Sequence, residues 1–260
     1  MSTTTTTREW LAPPAQLKLG KQEVHLWCMP LEQSKSLLEQ FYQTLSIEER
    51  KRAQHFRFER DRQHFIVGRG VLRNILSQYL GIEPQFLQIC YGAYGKPALV
   101  QLYGNDILTF NVSHSHDLAL YAISVNREVG IDTEYMRPLE DAMQIADTFF
   151  SRHERSTLRK VPEHLRLQAF FSCWTCKEAY VKAVGRGLSQ TLDQFDVSFL
   201  LAEEAQLLSV DGQPEEVERW KLYAISLPPS FSHYKAALVA EKRGQHAELT
   251  GFWQWQKKGD

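Results

Sequence analysis

Residues 118–134 hold two runs of strand-forming residues, LALYAISV and VGIDTE, separated only by Asn126, Arg127 and Glu128. A short polar link between two such runs is the usual mark of an antiparallel hairpin. The second run carries an unusual load. Asp132 and Glu134 are two apart, so on an extended strand both side chains leave from the same face. Like charges side by side oppose each other's ionisation, and a strand that only builds a sheet has no use for them. A bound cation would make the pairing tolerable.

The chain of 260 residues has material for one large domain or two small ones, and 43% hydrophobic with 23% charged residues is ordinary for a globular protein. A net charge of −1 removes any global nucleic-acid signature, so a basic region would have to be local. No uncharged apolar run approaches the roughly 20 residues that span a bilayer, and MSTTTTTREW lacks the apolar core of a signal peptide. The expectation is a cytoplasmic protein that engages neither membrane nor nucleic acid, with residues 1–8 a disordered lead-in. Cys28, Cys90, Cys173 and Cys176 give little support for a disulfide framework. Cys173 and Cys176 form a CxxC among helical hydrophobes without a second CxxC, so packed thiols are expected, not zinc ligands. His114 and His116 form an HxH with no acidic or cysteine partner nearby, and His116 reads as a loop residue.

VHLWCM at 24–29 reads as a strand, and apolar spacing over 31–45 predicts a helix. Ser46 and Glu49 have capping-box spacing, and a long helix over about 60–80 stops at Gly81. From Arg50 to Arg73 there are eight basic residues against two acidic ones. That excess fits either a solvated helix face or an anion site, since arginine forks suit phosphate. YGAYGKPAL is a turn, strands follow at 108–113 and 118–125, and the expected hairpin leads to 129–134. Helical patterns return at 139–150, 152–160 and 165–184. VSFLLAEE, WKLYAISL and YKAALVAEK read as an antiparallel set, and LYAIS, at Leu120 and again at Leu222, hints at two similar halves. Strand groups set apart from helices indicate an α+β class. GxGxxG, GxxxxGK[ST] and GxSxG are all missing.

The helical stretch FFSCWTCKEAYVKAVGRG places Glu178 and Lys182 four apart, which alone could be a surface ion pair. Trp174 on the same face, with Lys177 as a second cation, suits a cleft better. If Glu178 faces the strand that holds Asp132 and Glu134, three carboxylates converge and need a cation. Oxygen ligands without His or Cys favour Mg²⁺ carrying a phosphate group.

VGIDTE, followed about 40 residues later by WTCKEAYVK, resembles the signature of the 4′-phosphopantetheinyl transferases of the large, surfactin-synthetase-activating type. That signature is a [V/I]-G-[I/V]-D-x-E strand and a W-x-x-K-E-[A/S]-x-x-K helix. GKP, FNVSHS, FFS with a Glu three residues on, the basic EERKRAQHFRF and GRGLS fit the same family, in its order, over residues 24–239. The family's usual Ile between the two carboxylates is Thr133 here.

The resemblance implies a pseudo-dimer of two similar α+β halves in a monomeric chain, with coenzyme A in the cleft between them. Residues 9–125 would grip coenzyme A, 126–250 would carry the carboxylates, and 251–260 would be a tail. The reaction implied moves 4′-phosphopantetheine from coenzyme A to a serine of an apo acyl or peptidyl carrier protein, releasing 3′,5′-ADP. Asp132, Glu134 and Glu178 would hold Mg²⁺, or Mn²⁺ in its place. Glu154, Glu178 and Lys182 would be catalytic, with Glu154 deprotonating the serine and Lys182 reaching a phosphate oxygen. Glu154 also reads as a first-turn helix acid, where carboxylates are favoured anyway. Arg52 would meet the 3′-phosphate. Lys96, Asn111, Ser113 and His114 would line the nucleotide and its phosphates, beside Asp132, Glu178 and Lys182. The alternatives are a Mg²⁺-dependent phosphoesterase and a non-catalytic module that binds coenzyme A or a carrier.

Overall fold

The computed structural model describes residues 9–100, 106–185, 191–200, 204–244 and 247–255. The first half runs β1 (Glu23–Pro30), α1 (Lys35–Thr44), α2 (Ile47–Gln54), α3 (Glu59–Leu80), β2 (Ile89–Tyr91), β3 (Pro97–Leu99), β4 (Leu108–Ser115) and β5 (Leu118–Val125). The second begins with β6 (Val129–Tyr135), α4 (Ala142–Phe149), α5 (Arg152–Lys160) and α6 (Glu163–Val184). It continues with β7 (Phe195–Val197), β8 (Leu207–Val210), α7 (Pro214–Arg219), β9 (Trp220–Ala224), β10 (Tyr234–Glu241) and β11 (Glu248–Gln254).

The two halves share one grammar. Each opens with a strand and short helices, then a 22-residue helix closed by a left-handed glycine, Gly81 at φ 66° or Gly185 at φ 72°. A 3-10 turn follows, Pro84–Phe86 or Leu192–Gln194, and then a small hairpin and a final antiparallel pair. The sheets repeat as well: β1-β5-β4 and β6-β10-β9 have the same order, with the first strand antiparallel to the last. The α+β pseudo-dimer is therefore visible within the chain itself.

Alternation along the strands divides the core. Leu118, Leu120 and Ala122 of β5 join Val24 and Leu26 of β1 in a layer shared with Val129 and Ile131 of β6 and with Leu238 and Ala240 of β10. The opposite residues, Ala119, Tyr121 and Ile123, pack with Val67, Val71 and Ile75 of α3. The central strands are thus covered on both faces, by the other half and by their own helices. Their near-continuous apolar reading follows from this.

Several sequence expectations change. The link 126–128 closes no hairpin: β5 lies in the first sheet and β6 in the second. Asn126 adopts φ 52°, Arg127 is buried, and β6 pairs with β10. The two LYAIS copies fall on β5 and β9, which are not equivalent strands, so the repeat is coincidental although the halves are real. The helix expected over 31–45 starts at Lys35, because the Ser34 side chain caps it from the N-terminal side. The boundary drawn at residue 250 cuts through β11, which lies parallel to β1 as an added edge strand of the first sheet. Residues 251–254 are therefore strand, and α7 had no counterpart in the sequence reading. VSFLLAEE contributes only the end of β7, and its residues 201–203, like 1–8, 256–260 and most of GRGLS, lie outside the described residues. Cys173 and Cys176 are buried free thiols as expected; Cys28 is a buried free thiol too, and Cys90 an exposed one.

Candidate active site

The site starts from a glycine. On β6, Val129 and Ile131 face the shared layer, so Gly130, Asp132 and Glu134 face the other way, toward α6. A Cβ on Gly130 would sit 2.2 Å from both Ala179 O and Ala183 N of α6. The helix therefore rests directly on the strand backbone, which only glycine permits. The next position on that face is Asp132, and there α6 supplies Lys182.

Lys182 Nζ donates to Asp132 Oδ1 at 2.6 Å and to Ser113 Oγ at 2.9 Å. Ser113 in turn donates to Asp132 Oδ1 at 3.0 Å. Asp132 is only 3% exposed, and its Oδ2 is buried without a hydrogen-bond partner. Burial is the main force raising its carboxyl above the ordinary range, against the pull of Lys182. Glu134 and Glu178, both partly buried, are raised too, first by burial and then by the charge of Asp132. The three carboxylates feel one another, yet among the described residues no three such groups stand ready-made as a metal cage. An acid left with an unpartnered oxygen, next to two acids held above their usual range, is a donor set that fits a hard cation completed by ligands from elsewhere.

The first half reaches this site through a seam. Asn111 Oδ1 accepts from Ile131 N at 2.9 Å, Ser113 Oγ from Thr133 N at 3.2 Å and Ser115 Oγ from Tyr135 N at 3.1 Å. Three alternate side chains of β4 thus replace the backbone ladder that two adjacent strands would otherwise form. Ser115 also donates to Glu134 Oε2 at 2.8 Å. This explains the polar alternation in FNVSHS, and it means that Asn111 and Ser113 first of all join the halves. Thr133 turns away from the carboxylates and donates to Lys235 O at 3.1 Å.

Two cavities flank the seam and share Pro97 and Val112 as walls. One, of about 580 Å³, is lined by Arg52, Arg60, His64, Arg69, His114 and His116 among others. The basic excess of the first half thus becomes a concave cationic surface. The Arg52 guanidinium lies over the Phe65 ring at 5.2 Å, and Arg69 has a buried Nη1 without a partner. His114 lines this cavity, and burial, with the charges of Lys182 and Arg69 acting in the same direction, lowers its pKa. His116 is the expected turn residue, at φ 48° and stacked on Tyr135 at 4.5 Å. The other cavity, of about 990 Å³, is lined by Asn111, Phe149, Trp174, Glu178 and Lys182.

Three expectations meet a different geometry. Lys96 Nζ is bound to Glu128 Oε2 at 2.8 Å, with Val129 O at 3.3 Å and Ala183 O at 3.4 Å, so it ties the GKP turn to the second half. Lys177 does not share the cleft with Glu178: it is fully buried and donates to Glu154 Oε1 at 2.7 Å. Glu154, with no exposed surface, has its carboxylate filled by Lys177, Val197 N at 2.9 Å and Ser151 N at 3.0 Å. A group in that position reaches no substrate serine, so the base role expected for it is corrected. The sequence signal was present, because Ser151 and Glu154 have the same capping-box spacing as Ser46 and Glu49, and both boxes form.

Comparison with known proteins agrees with this architecture. The family profile described as 4′-phosphopantetheinyl transferase superfamily matches residues 128–239. The profile described as 4′-phosphopantetheinyl transferase, N-terminal, matches residues 31–126. The two meet at the link between the halves. The chain is 43% identical over 198 residues to 4′-phosphopantetheinyl transferase HetI of Nostoc sp., covering 76% of this chain and 83% of that protein. It is 30% identical over 168 residues to 4′-phosphopantetheinyl transferase Sfp of Bacillus subtilis, covering 65% and 71% respectively. The chain belongs to the 4′-phosphopantetheinyl transferase superfamily.

Proposed function

We propose that this chain transfers 4′-phosphopantetheine from coenzyme A to a serine of an apo acyl or peptidyl carrier protein, using Mg²⁺ held by Asp132, Glu134 and Glu178. The observation that carries the proposal is the buried, unpartnered Oδ2 of Asp132 beside Lys182, at a seam that borders a cationic cavity. In the reaction the serine hydroxyl gives up its proton to solvent water and attacks the β-phosphorus of coenzyme A, the bond from that phosphorus to the bridging oxygen breaks, and 3′,5′-ADP leaves with the electron pair. A bound divalent ion supplies charge neutralisation to the phosphates.

The chain's own residues do the rest. Arg52 and its neighbours take the 3′-phosphate end, and His114 lies toward the pyrophosphate. Lys182 keeps a positive charge beside Asp132, and Glu178 supplies a carboxylate within the cleft. Asn111 and Ser113 fix where the two halves meet. Since one chain already contains both halves of the cleft, a monomer is sufficient. In this reading the protein works in the cytoplasm; among the described residues no helix is long and apolar enough to cross a membrane.

Intact-mass measurement of apo acyl and peptidyl carriers after incubation with the protein, coenzyme A and Mg²⁺ tests the reading. The expected result is a gain of one phosphopantetheinyl group on at least one carrier class, with 3′,5′-ADP as co-product. Unchanged carriers together with inorganic phosphate released from coenzyme A would replace transfer by phosphoester hydrolysis.

A further inference from the structure

The pseudo-symmetry of the chain assigns a role to Glu154 that its sequence position conceals. In the first half, Glu49 is the third residue of α2 and closes a capping box with Ser46. Its carboxylate accepts from Arg73 Nε at 2.6 Å, and Arg73 Nη1 also donates to Leu87 O at 3.0 Å, the residue that ends the 3-10 turn after α3. In the second half, Glu154 is the third residue of α5 and closes the same box with Ser151. It accepts from Lys177, which also donates to Phe195 O at 2.6 Å, the residue that ends the 3-10 turn after α6. Arg73 and Lys177 both occupy the fifteenth position of a 22-residue helix, as counted from Glu59 and from Glu163. Each half therefore contains one buried strut that joins a capping box, a long helix and the turn behind it. Only one of the two long helices carries the cleft carboxylate and lysine.

We infer that Glu154 and Lys177 form a positioning strut which fixes the rotation of α6 about its axis and so aims Glu178 and Lys182 at β6. Lys177 is the residue immediately before Glu178. Any turn of the helix that released Lys177 from Glu154 and Phe195 would swing Glu178 and Lys182 away from Asp132. The inference rests on the transfer reading above.

Kinetics of the full chain with coenzyme A, Mg²⁺ and an apo-carrier test it, run well below each variant's melting midpoint so that only folded enzyme counts. Glu154→Gln and Lys177→Met each leave a buried partner uncompensated and should lose about tenfold or more in kcat with a smaller change in KM for coenzyme A. The double variant has no buried charge left over and should return to within about fivefold of the parent, since neutral replacements of buried ion pairs are often tolerated. A folded double variant as inactive as Glu154→Gln overturns the inference, because deleting a neighbour cannot restore a lost base. Unchanged kcat in both single variants overturns it as well, leaving a role in stability alone. A second measurement needs neither variants nor turnover. The Val197 amide should stay protected from hydrogen exchange when coenzyme A and Mg²⁺ are added, whereas its release on addition would show Glu154 leaving the strut.

Discussion

At the scale of single residues, the question raised by Asp132 and Glu134 has a physical form. The strand carries two acids on one face because Gly130 brings α6 close enough for Glu178 and Lys182 to meet them. Burial holds all three carboxyls above their ordinary range, and the charge of Asp132 raises Glu134 and Glu178 further. A carboxyl whose pKa is higher folded than unfolded binds more protons in the native state, so its contribution to stability falls as pH rises from the ordinary value through the raised one. Glu178→Gln removes one of the repelling charges. Without divalent metal, it should melt above the parent at about pH 7, and the gain should vanish near about pH 4, where the parent's own carboxyl is protonated. Thermal melting in a chelator at both pH values checks this, and equal midpoints at the higher pH would show that the acids do not repel across the cleft. These acids and Lys182 were legible because strand and helix periodicity fix which residues share a face. The burial of Glu154 and Lys177 was not, since Lys177 and Glu178 are neighbours in sequence and only packing decides which of them turns inward.

At the scale of elements, the sequence was clearest where termini are chemical. The capping box on α2 and the left-handed Gly81 set their boundaries correctly, because both act through local backbone hydrogen bonds. The β5–β6 link was misread for the opposite reason. Strand pairing is a tertiary choice, and β10, about a hundred residues further on, takes the edge of β6 that a hairpin would have used. The polar alternation of Asn111, Ser113 and Ser115 likewise makes sense only once β4 lies along β6. The strand–helix contact at Gly130 gives the sharpest prediction here. Gly130→Ala would force α6 off the β6 backbone, a form of overpacking that costs about 1–3 kcal/mol or more. Chemical denaturation should show this loss, together with a fall in turnover as Lys182 moves from Asp132. An unchanged midpoint would mean that α6 does not rest on that residue.

At the scale of the whole molecule, two halves of one design have become unequal. Both keep the strut, the long helix and the three-strand order, but only the second keeps the acids and lysine, while the first supplies the cationic cavity and the β4 seam. β11 then returns from the second half to extend the first sheet beside β1, which ties the halves together. The equality was hidden in the sequence because the halves share only scattered residues, the Ser and Glu of the two capping boxes and the glycine that closes each long helix, while the one repeated word, LYAIS, lies on non-equivalent strands. Asp132 is where the halves converge, held by Ser113 of the first and Lys182 of the second. Turnover of an apo-carrier by Asp132→Asn, measured across a Mg²⁺ titration with melting followed in parallel, therefore tests the account most directly. The expected result is a loss on the order of a hundredfold or more, the scale set by misplacing reacting groups by about 1 Å, in a protein that still folds. Near-normal turnover, or a loss explained wholly by unfolding, would contradict it.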